Sequence, residues 1–161
     1  MIVVSDTSPV LSLASIGRLD LLPTLYQQVL IPAAVYEELR AGAPAGHINF
    51  ESLPWLTVAT ATDRHRVDEL RADLDLGEAE AIVLAIERRA DLLLVDERRG
   101  RRTARASGLT VTGLLGVVTQ AKRAGVIEAA KPVIDELMRV ARFWIGPTLY
   151  AEVLAELDEV G

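Results

Sequence analysis

The sequence predicts an α/β fold, a three-layer α/β/α sandwich with a mostly parallel central sheet. Three observations predict it. Short apolar runs occur at 2–5, 28–31, 92–95 and 109–112, segments with helical period lie between them, and an aspartate stands directly beyond two of the runs. Strand and helix in alternation give a parallel sheet with helices on its faces. Function in such sheets gathers just beyond the carboxyl ends of the strands.

The strands come first. Ile2-Val3-Val4-Ser5 runs into Asp6, and Gln28-Val29-Leu30-Ile31 ends at Pro32. Leu92-Leu93-Leu94-Val95 runs into Asp96, and Leu109-Thr110-Val111-Thr112 ends at Gly113. Each is apolar on both faces rather than alternating, as strands covered from both sides are. Leu56-Thr57-Val58-Ala59 is a weaker fifth candidate.

Helical segments follow from punctuation and period. Pro32 opens one that stops near Gly42, with proline near the start and glycine past the end. A charged segment over 64–72 reads as exposed. An alanine-rich one over 77–89 carries Glu78 and Glu80 in its first turns, where negative charge is favoured. The spans 98–106, 114–124, 130–141 and 148–157 complete the set.

A chain of 161 residues favours one domain over 1–161, and half of it is hydrophobic, enough for a core without crosslinks. The lack of cysteine excludes disulfides and thiolate metal sites. The start lacks the basic and apolar regions of a signal peptide, and no apolar run approaches the roughly 20 residues that span a bilayer. These features predict a soluble, cytoplasmic protein. The net charge of −6 runs against the basic footprint of a nucleic-acid protein. However, 15 of the 17 basic residues are arginine, five of them between Arg98 and Arg105, and an acidic metal site subtracts charge that bound cations restore.

If the first strand and the strand over 92–95 are parallel and central, Asp6 and Asp96 emerge at one edge of the sheet. A strand-end aspartate serves equally as a helix N-cap, worth roughly 1 kcal/mol, but two at matching places point to a site. Thr7-Ser8-Pro9 follows Asp6, and Ser8 is a candidate to fix its rotamer or hold a water, although these residues also suit a helix start. Glu38 borders the buried face that Val35 and Leu39 mark, with Glu37 less well placed. Glu78 and Glu80 flank the apolar face of their helix on opposite sides, so periodicity does not choose between them.

Carboxylate oxygens are the ligands preferred by Mg²⁺ and Mn²⁺. Several acids in one cleft need cations or raised pKa values to relieve their repulsion, and paired metals activate water for phosphodiester hydrolysis. His47 and His65 stand in polar surroundings and read as exposed residues. Arg98 and Arg101, from the run Glu97-Arg98-Arg99-Gly100-Arg101-Arg102-Thr103-Ala104-Arg105, are the best placed to contact phosphates. A solvated helix face is the plain alternative.

Four motifs occur in the order seen in PIN-domain proteins, closest to the prokaryotic branch that resembles VapC toxins: Val4-Ser5-Asp6-Thr7-Ser8-Pro9-Val10-Leu11, Ile31-Pro32-Ala33-Ala34-Val35-Tyr36-Glu37-Glu38-Leu39, Leu76-Gly77-Glu78-Ala79-Glu80-Ala81-Ile82 and Leu94-Val95-Asp96-Glu97-Arg98-Arg99-Gly100-Arg101. The resemblance covers about residues 1–125, leaving a helical part over 126–161. It implies a PIN-like, Rossmann-like fold, divalent-metal endoribonuclease activity on RNA, a homodimer, and a small cognate antitoxin. Its acids map onto Asp6, Glu38, Glu80 and Asp96 as catalytic metal ligands, with Glu78 the alternate for Glu80.

Rival chemistries fit less well. A receiver-type phosphoacceptor wants a lysine after a late strand, and Lys122 and Lys131 follow none. An aspartyl-nucleophile phosphohydrolase wants an aspartate where Ser8 stands, and no glycine-rich phosphate loop is present. The remaining alternative is a catalytically inactive PIN-like module that binds nucleic acid or protein.

Overall fold

The structure is a computed structural model and describes residues 1–42 and 48–159. Five strands form one parallel sheet: β1 (Val3–Ser5), β2 (Val29–Pro32), β3 (Leu56–Ala59), β4 (Leu92–Leu94) and β5 (Val111–Thr112), in the order β3-β2-β1-β4-β5. The weak fifth candidate is therefore a strand. It lies at an edge, and its Thr57 and Val58 are exposed, which explains why it lacks the two-sided apolar character of the others.

The helices are α1 (Thr7–Ser15), α2 (Leu21–Tyr26), α3 (Ala33–Ala41), α4 (Arg64–Leu70), α5 (Leu76–Glu87), α6 (Arg98–Ala106), α7 (Leu114–Arg123), α8 (Ala130–Val140) and α9 (Pro147–Glu156). The expected helices fall within a residue or two of these bounds. Helix α1 answers only to the helix start read at Thr7-Ser8-Pro9, and α2 has no counterpart among the expected segments. Its proline, Pro23, discourages a helical reading, yet it occupies the third helical position, where its missing N–H would have no intrahelical acceptor. Pro9 likewise sits third in α1.

The pleat of the sheet divides the core. Val3, Val29, Ile31 and Leu94 face one layer with residues of α1, α2, α7, α8 and α9. Val4, Leu93 and Val95 face the other, with Val67, the apolar residues of α5 and Ala104. Successive strand residues thus bury themselves on opposite faces, as the apolar runs require. The arrangement is the expected three-layer α/β/α sandwich. Among the described residues, no helix is long and apolar enough to cross a membrane.

Candidate active site

β1 and β4 are neighbours, with Val3 opposite Leu92, Val4 opposite Leu93 and Ser5 opposite Leu94. The Asp6 amide continues the ladder by donating to the Leu94 carbonyl at 2.9 Å. Asp6 and Asp96 therefore leave the sheet at the same carboxyl edge. His47 lies outside the described residues, and His65 is an exposed residue paired with Glu69 at 2.8 Å.

Asp6 begins α1, but its side chain makes no capping hydrogen bond. It is only 5 % exposed. Burial pushes its carboxyl up to about 7; the nearby Thr7 amide eases the charge, and the charges of Glu78, Asp75 and Glu38 add to the rise. Glu38 reaches over from α3. Partial burial raises its pKa, with the Asp75 charge adding, while Thr7 Oγ lies close enough to favour the charged form without reaching hydrogen-bond geometry. Ser8 is half-buried.

Helix α5 decides between its two glutamates. Asp75 and Glu78 form a capping box at its start: Glu78 N–H donates to Asp75 Oδ1 at 2.8 Å, and Asp75 N–H donates to Glu78 Oε1 at 3.3 Å. Glu78 Oε2 is buried without a partner. Burial first, then the Asp75 charge, push Glu78 up to about 7, against the easing effect of the Asp75 amide. Glu80 faces elsewhere. Its Oε1 accepts from the Ala34 amide at 3.0 Å, and its Oε2 accepts from Arg64 at 2.8 Å. It closes the start of α3, which has no side-chain cap of its own. Glu80 thus does not join the cluster that the family resemblance assigns it to, because both its oxygens are committed to other partners; its alternate Glu78 does.

Asp96 turns one oxygen to the start of α7, where the Leu114 amide donates to Oδ1 at 2.8 Å, and leaves Oδ2 buried without a partner. Burial raises its pKa, while the Leu114 amide and the Arg101 charge oppose the rise. Arg101 donates to the Asp96 carbonyl.

Three glycines make room for these carboxylates. A Cβ on Gly77 would stand 2.6 Å from Glu38 Oε1 and 3.5 Å from Asp6 Oδ1. One on Gly100 would stand 2.7 Å from Glu78 Oε2, and one on Gly113 would stand 2.6 Å from Asp96 Oδ1. Glu38, Glu78 and Asp96 thus each border a glycine so closely that an alanine methyl would displace the carboxylate, whereas Asp6 lies at ordinary contact distance from Gly77.

Asp75 was not among the residues singled out in the sequence. Its signal is the capping-box spacing Asp75-Leu76-Gly77-Glu78 ahead of an apolar run. Beyond capping, its charge helps raise the pKa values of Asp6, Glu38 and Glu78.

Among the described residues, no group of three or more acids and histidines is arranged to enclose an ion as it stands. The donor set nevertheless fits a hard divalent cation. It is all oxygen, two buried carboxylate oxygens lack any partner, and the burial and neighbouring negative charge that raise the pKa values both disfavour a bare carboxylate, a penalty that a cation relieves. Mg²⁺ usually keeps several waters and takes only one or two carboxylates.

A parallel sheet between two helical layers, with acids gathered at its carboxyl edge, is the architecture of the PIN class. The chain belongs to the PIN-domain family: the family model described as DUF3368, PIN domain, matches residues 2–159. The match takes in α8 and α9, beyond the part carried by the four motifs. PIN domains are generally nucleases that use divalent metals. No curated protein resembles the chain closely enough to count as a match.

Proposed function

We propose that this protein is an Mg²⁺- or Mn²⁺-dependent endoribonuclease, acting in the cytoplasm as the toxin of a type II toxin–antitoxin pair. The observation that supports the hydrolase reading best is the set of glycine-bordered carboxylates, two of whose buried oxygens have no partner. Asp6, Glu38, Glu78 and Asp96 are the proposed metal-holding acids, with Glu80 reassigned to structure. When bound, the metal supplies charge neutralisation and an acidified water for attack on a phosphodiester.

The protein's own groups do the rest. Leu114 N–H and the start of α7 fix the Asp96 rotamer. Asp75 fixes Glu78 through the capping box. In the metal-free cluster, burial first and neighbouring charge second favour the protonated forms of Asp6 and Glu78, which eases the repulsion among Asp6, Glu38, Asp75 and Glu78. Arg98 and Arg101 stand beside Asp96 to receive substrate phosphates. The motif resemblance to the VapC-like branch supports the toxin role, a homodimer and inhibition by a small antitoxin.

The test is cleavage of varied RNAs with Mg²⁺, Mn²⁺ or EDTA. Wild type should cleave only with metal, and Asp6→Asn, Asp96→Asn and Glu78→Gln should each lose at least about a hundredfold. Glu80→Gln should keep most of the activity. Loss in Glu80→Gln with retention in Glu78→Gln would overturn the assignment on α5. Absence of metal-dependent cleavage by wild type would favour a PIN-like binding module.

A further inference from the structure

A groove of about 610 Å³ opens beside Asp96, between α6, the turn from β5 into α7, and the segment joining α8 to α9. One wall is cationic. Arg98, Arg101 and Arg105 line it, and their spacing of three and four residues puts them on one face of α6. Among the described residues none of the three is ion-paired with an acid side chain. In a chain of net charge −6, this wall stands out as a place for a polyanion.

The facing wall carries Trp144, which is 78 % exposed. Its exposure is built in. Arg142 turns the chain out of α8 with φ +57°, and the Phe143 amide donates back to the Leu137 carbonyl at 3.3 Å. Phe143 and Ile145 then pack against the first core layer, which leaves Trp144 between them facing solvent. A large aromatic held open across from guanidiniums is the pairing that proteins use to stack unpaired bases while gripping the backbone. Duplex bases are already stacked and offer no such face.

We propose that this groove is the track for single-stranded RNA, with Trp144 as a base-stacking platform and Arg105 extending the phosphate contacts of Arg98 and Arg101. A strand lying there runs alongside Asp96, which lines the groove, and so passes to the carboxylate edge. The inference rests on the ribonuclease reading for its purpose, but its test reads binding separately.

The probe is a short fluorescein-labelled single-stranded RNA of mixed sequence, titrated in EDTA and in Mg²⁺ onto the Asp6→Asn variant so that no cleavage intervenes. Trp144→Ala should weaken binding about tenfold, with Trp144→Phe restoring most of it. Arg105→Ala should weaken it several-fold and make the salt dependence shallower by about 0.7 in the log–log slope. A duplex of the same sequence should show little response to Trp144→Ala. In a Trp55→Phe background, the remaining Trp144 fluorescence should be quenched by the single strand.

Unchanged affinity in Trp144→Ala and Arg105→Ala overturns the track, even if wild type proves an active nuclease. Loss of cleavage by Asp6→Asn with no effect of these variants leaves the carboxylate site standing without the groove. Binding that depends on Trp144 in a protein that never cleaves RNA keeps the track and sinks the nuclease reading. Conversion of a dimer to a monomer by Trp144→Ala in sedimentation would make this face a contact between copies of the chain and overturn the proposal.

Discussion

Glu78 and Glu80 stand two residues apart on one helix, are each 5 % exposed, and have opposite environments. Glu78 has one buried oxygen without a partner and a pKa near 7, the condition of a group waiting for a cation or a proton. Glu80 has a partner for each oxygen. Replacing Glu80 by alanine removes the cap on α3 and the Arg64 pair. Arg64 is half exposed and recovers solvation, so the expected loss in chemical denaturation is about 1–3 kcal/mol, mostly from the orphaned Ala34 amide. Cleavage by Glu80→Ala should persist where the protein remains folded. Glu78→Gln should behave the other way, losing cleavage while matching or exceeding wild-type stability, because it removes a buried carboxyl whose charge is disfavoured. Asp6 and Asp96 were legible from the strands they follow, whereas Glu38 came from the motif resemblance, since its place beside Leu39 is one that ordinary surface glutamates also take. The choice on α5 was not legible, since a period of about 100° per residue puts both glutamates beside the same apolar face.

At the scale of elements, helix ends do most of the positioning. The start of α5 carries Glu78 on a capping box, the start of α7 holds Asp96, and the start of α3 is closed by Glu80. Helix α6 approaches α5 closely because Gly100 presents no side chain to Glu78 and Val95. Alanine in a helix interior ordinarily gains about 1 kcal/mol over glycine. Gly100→Ala should forfeit that gain, because the new methyl would stand 2.7 Å from Glu78 Oε2 and 3.1 Å from Val95. Circular dichroism melts should show little or no stabilisation, and cleavage should fall at least about tenfold as Glu78 is displaced. Gly108, after the same helix, adopts φ +86° with open space around it, so its alanine variant should affect stability through backbone strain alone and leave cleavage intact. The run from Arg98 to Arg102 reads in sequence as a phosphate-contacting or simply solvated basic helix. Only the packing against Glu78 shows why a glycine interrupts it.

For the whole molecule, the carboxylate edge sets how stability depends on pH. Asp6 and Glu78 have ordinary values of 3.8 and 4.5 and are raised to about 7 by burial. Between those limits the metal-free native protein holds protons that the unfolded chain has released, so stability falls as pH rises and levels off above about 7. Glu87, Asp135 and Glu159 are shifted downward and act with opposite sign, but their contribution is complete once the pH exceeds the unfolded value of 4.5. From about pH 5.5 to about pH 8 in EDTA, denaturation should therefore show a loss on the order of 2 kcal/mol for each of the two carboxyls. Mg²⁺ should restore stability at the upper end and do little at the lower, since cation and proton compete for the same oxygens. A flat profile in EDTA would mean that Asp6 and Glu78 are not buried in solution as they are in this structure.

The sequence by itself determined the strands, most of the helices, the three-layer class and the edge at which Asp6 and Asp96 both leave the sheet. All of these follow from local period and from the rule that parallel strands share their carboxyl ends. Tertiary structure alone decided which glutamate of α5 faces the site, which glycines border the acids, and that Trp144 stands open across from Arg98 and Arg105. Those outcomes depend on how α5, α6 and the segment after α8 pack against neighbours distant in the chain, and local periodicity carries no record of the partner each face will meet.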